Sequence, residues 1–245
     1  MVVTQVTRGR CLRRWCRAVP AGALATLALS STASRAEGLD LAVGLLSDKV
    51  TRGFSKSQGR ATWEVDGQYH GDSGWFVGLG VTDRRPGSAS GRFEWVASGG
   101  VGLPLDADWT LQLGAARYQN AGGRRTIDAD YTDLTVSADW RGRGSLLMTA
   151  SPDTRTGSRR GWTVLAEAAW RQPFADRWSL NVGIGAIDRS GIGSPSYGYG
   201  SAGLSASFGP VRVFGTRIVS RAVESGALPG SARASRWVLA VVVVD

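Results

Sequence analysis

Cysteine is almost missing from this chain, histidine nearly so, and nothing after its first residues is apolar for long enough to cross a membrane as a helix. Both cysteines, Cys11 and Cys16, fall within residues 1–36, so the remainder is expected to have no disulfide and no thiol chemistry. His70 is the one histidine. One imidazole without a thiolate excludes a histidine- or cysteine-based metal site, and no Asp-rich loop has calcium-site spacing. No metal and no cofactor are expected. The longest fully apolar run, 238–244, has the length of a strand, well short of the roughly 20 residues a spanning helix needs. Amphipathic helices with caps are missing too, and the 34 glycines, some at alternate positions such as 198 and 200, disfavour them.

The start of the chain reads as an address. Arg8, Arg10, Arg13, Arg14 and Arg17 precede an apolar stretch from Val19 to Leu29, and Ser34-Arg35-Ala36 supplies small residues at −3 and −1 of a cleavage site. That order is a secretory signal peptide over 1–36, leaving 37–245 as the mature domain. The precursor's net charge of +9 is misleading. Six arginines leave with the signal and no acid does, so the mature chain carries about +3. Nucleic acid is therefore not an expected partner.

What the mature region does have is strand rhythm. Twelve segments of roughly ten residues are set apart by Gly, Pro, Asp, Asn, Ser and Arg clusters: 39–47, 61–70, 74–82, 92–103, 109–119, 128–140, 144–152, 161–172, 178–188, 197–208, 211–219 and 235–244. Many alternate at period two. Trp178, Leu180, Val182, Ile184 and Ala186 share one face against Ser179, Asn181, Gly183 and Gly185. The closing strand is the exception, since 241–244 is all valine.

The connections alternate as well. Those at 71–73, 104–108, 141–143, 173–177 and 209–210 are tight, whereas those at 48–60, 83–91, 120–127, 153–160, 189–196 and 220–234 are longer. Short periplasmic turns and longer extracellular loops are the habit of bacterial membrane barrels. Trp63, Trp75, Trp95, Trp109, Trp140, Trp162, Trp178 and Trp237 fall near strand ends, where interfacial girdles sit. The expected fold is all-β: an antiparallel up-and-down transmembrane β-barrel of about 12 strands in the outer membrane. A lipid environment allows no other closed solution without spanning helices.

Catalytic residues are not expected. Gly71-Asp72-Ser73-Gly74 has the form of a serine nucleophile site, but a triad needs a positioned histidine. His70 lies three residues from Ser73 on a hairpin lip, and the tetrapeptide is ordinary turn chemistry. The candidate functional surface is instead the lumen. With apolar alternates toward lipid, Glu64, Asp66, Gln68, Glu94, Gln112, Asp133, Asp139, Glu167, Arg171, Asn181 and Arg212 face inward, a mildly acidic set. The long loops carry Arg84, Arg85, Arg124, Arg125, Arg155, Arg159, Arg160, Arg189, Arg221 and Arg233. That basic extracellular rim suits the phosphates of lipopolysaccharide.

Two segments carry a family resemblance. Val50-Thr51-Arg52-Gly53-Phe54-Ser55-Lys56-Ser57-Gln58-Gly59 and Tyr69-His70-Gly71-Asp72-Ser73-Gly74-Trp75-Phe76-Val77-Gly78 resemble the opening hairpin of the TorF family of porins. That family has an Arg-Gly-aromatic-Ser-x-Ser loop, then a strand ending near Tyr-x-His and a Ser-Gly-aromatic start to the next. The resemblance implies a porin-like channel for passive diffusion of small polar solutes or ions. Outer-membrane lipid, lipopolysaccharide and the barrel assembly machinery would be its partners. The alternatives are a non-conducting structural or lipopolysaccharide-interacting barrel, and a soluble periplasmic β-protein. Outer-membrane barrels usually end in an aromatic residue; this sequence ends Val241-Val242-Val243-Val244-Asp245.

Overall fold

A computed structural model describes residues 38–83, 92–121, 130–156, 159–222 and 233–245. The proposed signal, residues 1–36, lies outside these. The chain runs through β1 (Gly38–Leu46), a small hairpin of β2 (Val50–Thr51) and β3 (Phe54–Ser55), then β4 (Thr62–His70), β5 (Trp75–Asp83), β6 (Phe93–Pro104) and β7 (Trp109–Ala121). It continues through β8 (Tyr131–Trp140), β9 (Gly144–Thr156), β10 (Arg159–Pro173), β11 (Trp178–Asp188), β12 (Tyr197–Phe208), β13 (Val211–Ala222) and β14 (Arg233–Val244). All strands but β2 and β3 form one closed barrel in chain order, sealed where β1 pairs antiparallel with β14 (Ala42↔Val244 to Leu46↔Ala240). Closure leaves no edge strand to aggregate.

The period-two pattern becomes two faces. Along β11 the even residues from Trp178 to Ala186 are exposed, while Ser179, Asn181, Gly185 and Ile187 are buried. Outside lie exposed apolar side chains such as Leu79, Met148 and Ile184. Inside lie buried Glu64, Gln112, Asp133, Thr149 and Asn181. That arrangement is inverted from a soluble protein, and suits a wall between lipid and a polar interior. Trp75, Trp95, Trp109, Trp162, Trp178 and Trp237 are exposed near strand ends, and Trp170 joins them, stacked on Trp140 at 5.4 Å.

Tight turns owe their shape to particular residues. At one, Arg141 and Gly142 both take positive φ (53° and 63°), and Arg143 N–H donates to the Trp140 carbonyl at 2.9 Å. This two-residue turn matches the right-handed twist of β8 and β9. At another, Asp106 Oδ1 accepts from the N–H groups of Asp108 and Trp109 at 2.7 and 2.8 Å.

The all-valine end of β14 does alternate in exposure, contrary to the sequence expectation. Trp237, Leu239, Val241 and Val243 point out; Val238, Ala240 and Val242 are buried inside, where Ala240 and Val242 pack with Leu46 and Phe214. The strand is apolar on both faces because its inner face meets a small apolar cluster beside the seam.

Candidate functional site

The connection between β1 and β4 was expected as an outward loop, and that expectation fails. It turns into the bore. β2 pairs with β3 (Val50↔Ser55, Thr51↔Phe54) about a turn at Arg52 and Gly53, both with positive φ (51° and 78°). Lys56 N–H closes the pair onto the Lys49 carbonyl at 2.6 Å. Ser55 Oγ and Ser57 Oγ donate to Asp48 Oδ1 at 2.6 and 2.8 Å, and Ser57 Oγ also accepts from Lys49 N–H at 2.9 Å. Asp48, Lys49, Thr51 and Ser57 are all buried.

The hairpin touches opposite sides of the barrel. On one side Lys49 pairs with Glu64 of β4, Lys56 with Glu94 of β6 at 2.7 Å, and Arg52 with Asp133 of β8. On the other, Tyr197 Oη of β12 donates to the Arg52 carbonyl at 3.0 Å, and Ser220 Oγ of β13 donates to the Gly53 carbonyl at 2.6 Å. Arg236 of β14 reaches Asp48 at 3.2 Å. Phe54 meets Tyr197 edge-on, ring centroids 4.5 Å apart. Tyr118 and Tyr131 stack at 4.4 Å, with Lys56 5.5 and 5.4 Å from their ring centroids and Arg52 5.7 Å from that of Tyr131. An element anchored at β4, β6 and β8 and at β12, β13 and β14 spans the bore.

The anchors explain the local sequence. A positive-φ turn with both carbonyls engaged suits glycine, and a Cβ at Gly53 would sit 2.6 Å from Ser220 Oγ and 2.8 Å from Tyr199 Cβ. The two serines flanking Lys56 tie the returning arm to Asp48. Each charged anchor is matched because an isolated charge taken out of water is costly.

All eight lumen candidates are on inward positions. Glu64, Glu94 and Asp133 are buried under the hairpin. Asp133 also accepts from Ser151 Oγ at 2.5 Å. Asp66 and Glu167 are half-buried, with Glu167 accepting from Tyr199 Oη. Asp139 lies at the tight-turn end, where it accepts from Gly142 N–H at 2.7 Å. Arg171 and Arg212 are half-buried at the same end. Asn181 is more closely packed than a water-lined wall requires, with its amide donating to Ser205 Oγ at 2.9 Å. The lumen is therefore not the mildly acidic surface expected, because Lys49, Arg52 and Lys56 sit against three of its acids. Of the rim candidates, Arg159 and Arg160 are exposed at the start of β10, whereas Arg84, Arg85, Arg124 and Arg125 lie outside the described residues. The 189–196 connection also folds onto the barrel, burying Ile192.

Sequence reasoning missed Lys49, Arg52, Lys56, Asp48 and Arg236. The available signal was the paired short β-forming pieces around Arg52-Gly53 within a segment otherwise read as loop.

No family model matches the chain, and neither does any curated protein. Among solved structures it is similar to the NanC porin, at 8% identity over 85% of this chain and 98% of that one, with a TM-score of 0.54. OccK2 of Pseudomonas aeruginosa, solved with glucuronate, aligns at 14% identity over 75% of this chain and 58% of that one, TM-score 0.39. LpxR of Salmonella typhimurium aligns at 7% identity over 84% and 99%, TM-score 0.38. The first likeness shows the fold alone, a closed antiparallel β-barrel similar to that of a porin. At that identity it transfers no residue roles, and the other two scores carry no argument.

Proposed function

We propose that this chain is an outer-membrane channel of porin type, passing small polar solutes or ions passively through a lumen narrowed by the hairpin of residues 47–60. The observation that supports this most is the polar inner wall crossed by a charged, hydrogen-bonded insertion. A purely structural barrel could fill its bore with apolar side chains. Charged groups facing a solute path set up fields that sort ions, and a constriction sets the size limit. The TorF resemblance belongs to the same reading, since its Arg-Gly-aromatic-Ser-x-Ser stretch supplies Arg52, Gly53, Phe54, Ser55 and Ser57 as anchors of the constriction.

We further propose that the long-loop end, extracellular by the usual barrel topology, meets lipopolysaccharide through exposed arginines including Arg159 and Arg160, and that the chain reaches the membrane through the barrel assembly machinery. No catalytic role is proposed. The single histidine faces Asp40 at 3.3 Å, and Ser73 is exposed in the turn beyond it.

Single-channel recording of the refolded barrel in a planar bilayer tests the channel reading. Small, discrete conductance steps are expected. A barrel shown to be folded by heat-modifiable migration, yet silent both as wild type and with its hairpin loosened by Gly53→Ala, would leave the non-conducting structural reading in its place.

A further inference from the structure

We infer that the outer wall over β8–β13 carries a binding groove for one multiply phosphorylated, multi-acylated lipid of the outer leaflet, its anionic groups held by Arg217 and Arg221. The inference deepens the lipopolysaccharide part of the proposed function and is independent of conduction.

The groove has a volume of about 1550 Å³ and follows a hydrogen-bonded row across the strands. From β13 to β7 that row reads Val219, Gly200, Ile184, Ala168, Leu146, Ala138 and Leu111. Its six strand spacings of about 4.8 Å give a length of roughly 29 Å. Because barrel strands tilt by roughly 35–45°, a row across them descends obliquely through the membrane. Gly198, Gly200, Ala166, Ala168, Ala186 and Ala138 lower its floor, from which Ile184 and Met148, 67% and 61% exposed, stand up. A second hollow of about 710 Å³ shares Leu146, Ala168 and Ile184 and ends at Trp109, Trp140 and Trp170. The depression therefore runs from the arginines down to a cluster of tryptophans near the tight-turn ends. Its shape suits extended acyl chains, and small residues on a lipid-facing wall give up contacts that a bound chain restores.

Charge at the upper end decides between occupants. Arg217 and Arg221 project outward on β13, and Arg217 stands opposite Trp237, 66% exposed on β14. Among the described residues Arg217 Nε donates to Ser235 Oγ at 3.0 Å, and neither guanidinium has a carboxylate partner. A guanidinium on the lipid face is costly unless it meets an anion at the interface. The two lie four residues apart on one strand face, about 13 Å. That spacing suits two anionic groups on one headgroup and not a single phosphate.

Native mass spectrometry of the refolded barrel, with diphosphorylated, monophosphorylated and dephosphorylated hexa-acyl lipid A as probes, tests this. One diphosphorylated lipid per barrel is expected to stay bound. Retention should fall by about tenfold in Arg217→Gln with Arg221→Gln, and should fall also in Ala168→Leu, which fills the floor. Heat-modifiable migration confirms that each variant has folded, and the arginine pair carries the test if Ala168→Leu does not fold. Equal retention by the double variant, equal retention of the dephosphorylated lipid, or a barrel dimer that these changes dissociate would overturn the groove assignment. Loss in Arg159→Gln with Arg160→Gln but not in the Arg217/Arg221 pair would keep the rim reading and remove the groove. No retained lipid in any form would remove both.

Discussion

Replacing Gly53 by alanine places a methyl group 2.6 Å from Ser220 Oγ and 2.8 Å from Tyr199 Cβ, at a backbone φ of 78°. The left-handed conformation alone costs a non-glycine residue about 1–2 kcal/mol. Backing the hairpin away also breaks the bonds from Tyr197 Oη to the Arg52 carbonyl and from Ser220 Oγ to the Gly53 carbonyl. Each contributes about 1 kcal/mol net. Together these shift the balance between tucked and withdrawn hairpin by about 3 kcal/mol, on the order of a hundredfold in population. The strand ladder of the barrel wall does not run through β2 and β3, because β1 pairs directly with β4 and β14, so the variant is expected to fold. Two assays read the outcome. Single-channel conductance should rise, and trypsin should reach Lys49, Arg52 and Lys56, which are shielded in the wild type. A folded Gly53→Ala barrel with unchanged conductance and unchanged protection would refute the view that the hairpin is held in the bore by these contacts.

Other outcomes follow from the same geometry. Withdrawing the hairpin strips Glu64, Glu94 and Asp133 of their cations, so Gly53→Ala should show more cation selectivity than wild type in reversal potentials; the difference should shrink as the screening length falls from about 10 Å at 0.1 M salt to about 3 Å at 1 M. Arginine at Ile184, 67% exposed near mid-strand, should cost roughly 2–4 kcal/mol in a folding titration, whereas arginine at Ser201, on the inner face of the neighbouring strand, should cost much less. Phe54→Ala removes an edge-on ring contact with Tyr197 worth roughly 0.5–1.5 kcal/mol and should raise trypsin cleavage without altering heat-modifiable migration. At the tight-turn end, hydrogen bonds from Arg141 at 2.6 and 2.7 Å hold the Asp108 carboxyl below its ordinary value. A depressed carboxyl stabilises the folded state above its unfolded value and loses that contribution as pH falls through the folded one. In Arg141→Gln the Asp108 titration, followed by NMR, should therefore move up toward about 3.9.

The wall was legible because its signals are local. Period two fixes which residues share a face, and an aspartate or glycine at a given offset fixes a turn, as at Asp106 and Gly142. Strand ends followed from these, and the expected segments differ from the observed strands by a few residues at most places; the longer connection expected at 153–160 is instead strand up to Thr156 and again from Arg159. The hairpin was not legible for a physical reason. Its direction depends on contacts with β6, β8, β12, β13 and β14, between 38 and 188 residues away for Lys56–Glu94 and Asp48–Arg236. Composition can say that a charged loop is polar, but not whether water or an opposed carboxylate solvates it. The same blindness produced the acidic-lumen expectation, in which wall residues were counted without the chain folded against them.

Selectivity in the proposed channel would not follow from the wall acids alone. In a bare barrel the wall acids would set the field directly, and selectivity would follow their sum. In this chain three of them face cations carried on a separate element, so the field in the bore depends on the position of that element as much as on the wall. Moving the hairpin changes width and charge together: the bore opens as Glu64, Glu94 and Asp133 lose their partners. Size exclusion and ion preference should then be coupled, with the narrow state close to neutral and the wide state cation-favouring. Neutralising the wall acid alone, as in Asp133→Asn, loosens Arg52 while also deleting a charge. It should therefore widen the channel with a smaller gain in cation preference than Gly53→Ala, which leaves every wall acid in place. Recording conductance and reversal potential together in both variants separates the two contributions. If Asp133→Asn shifts selectivity toward anions with no change in conductance, the wall acids act alone and the coupling argued here is wrong.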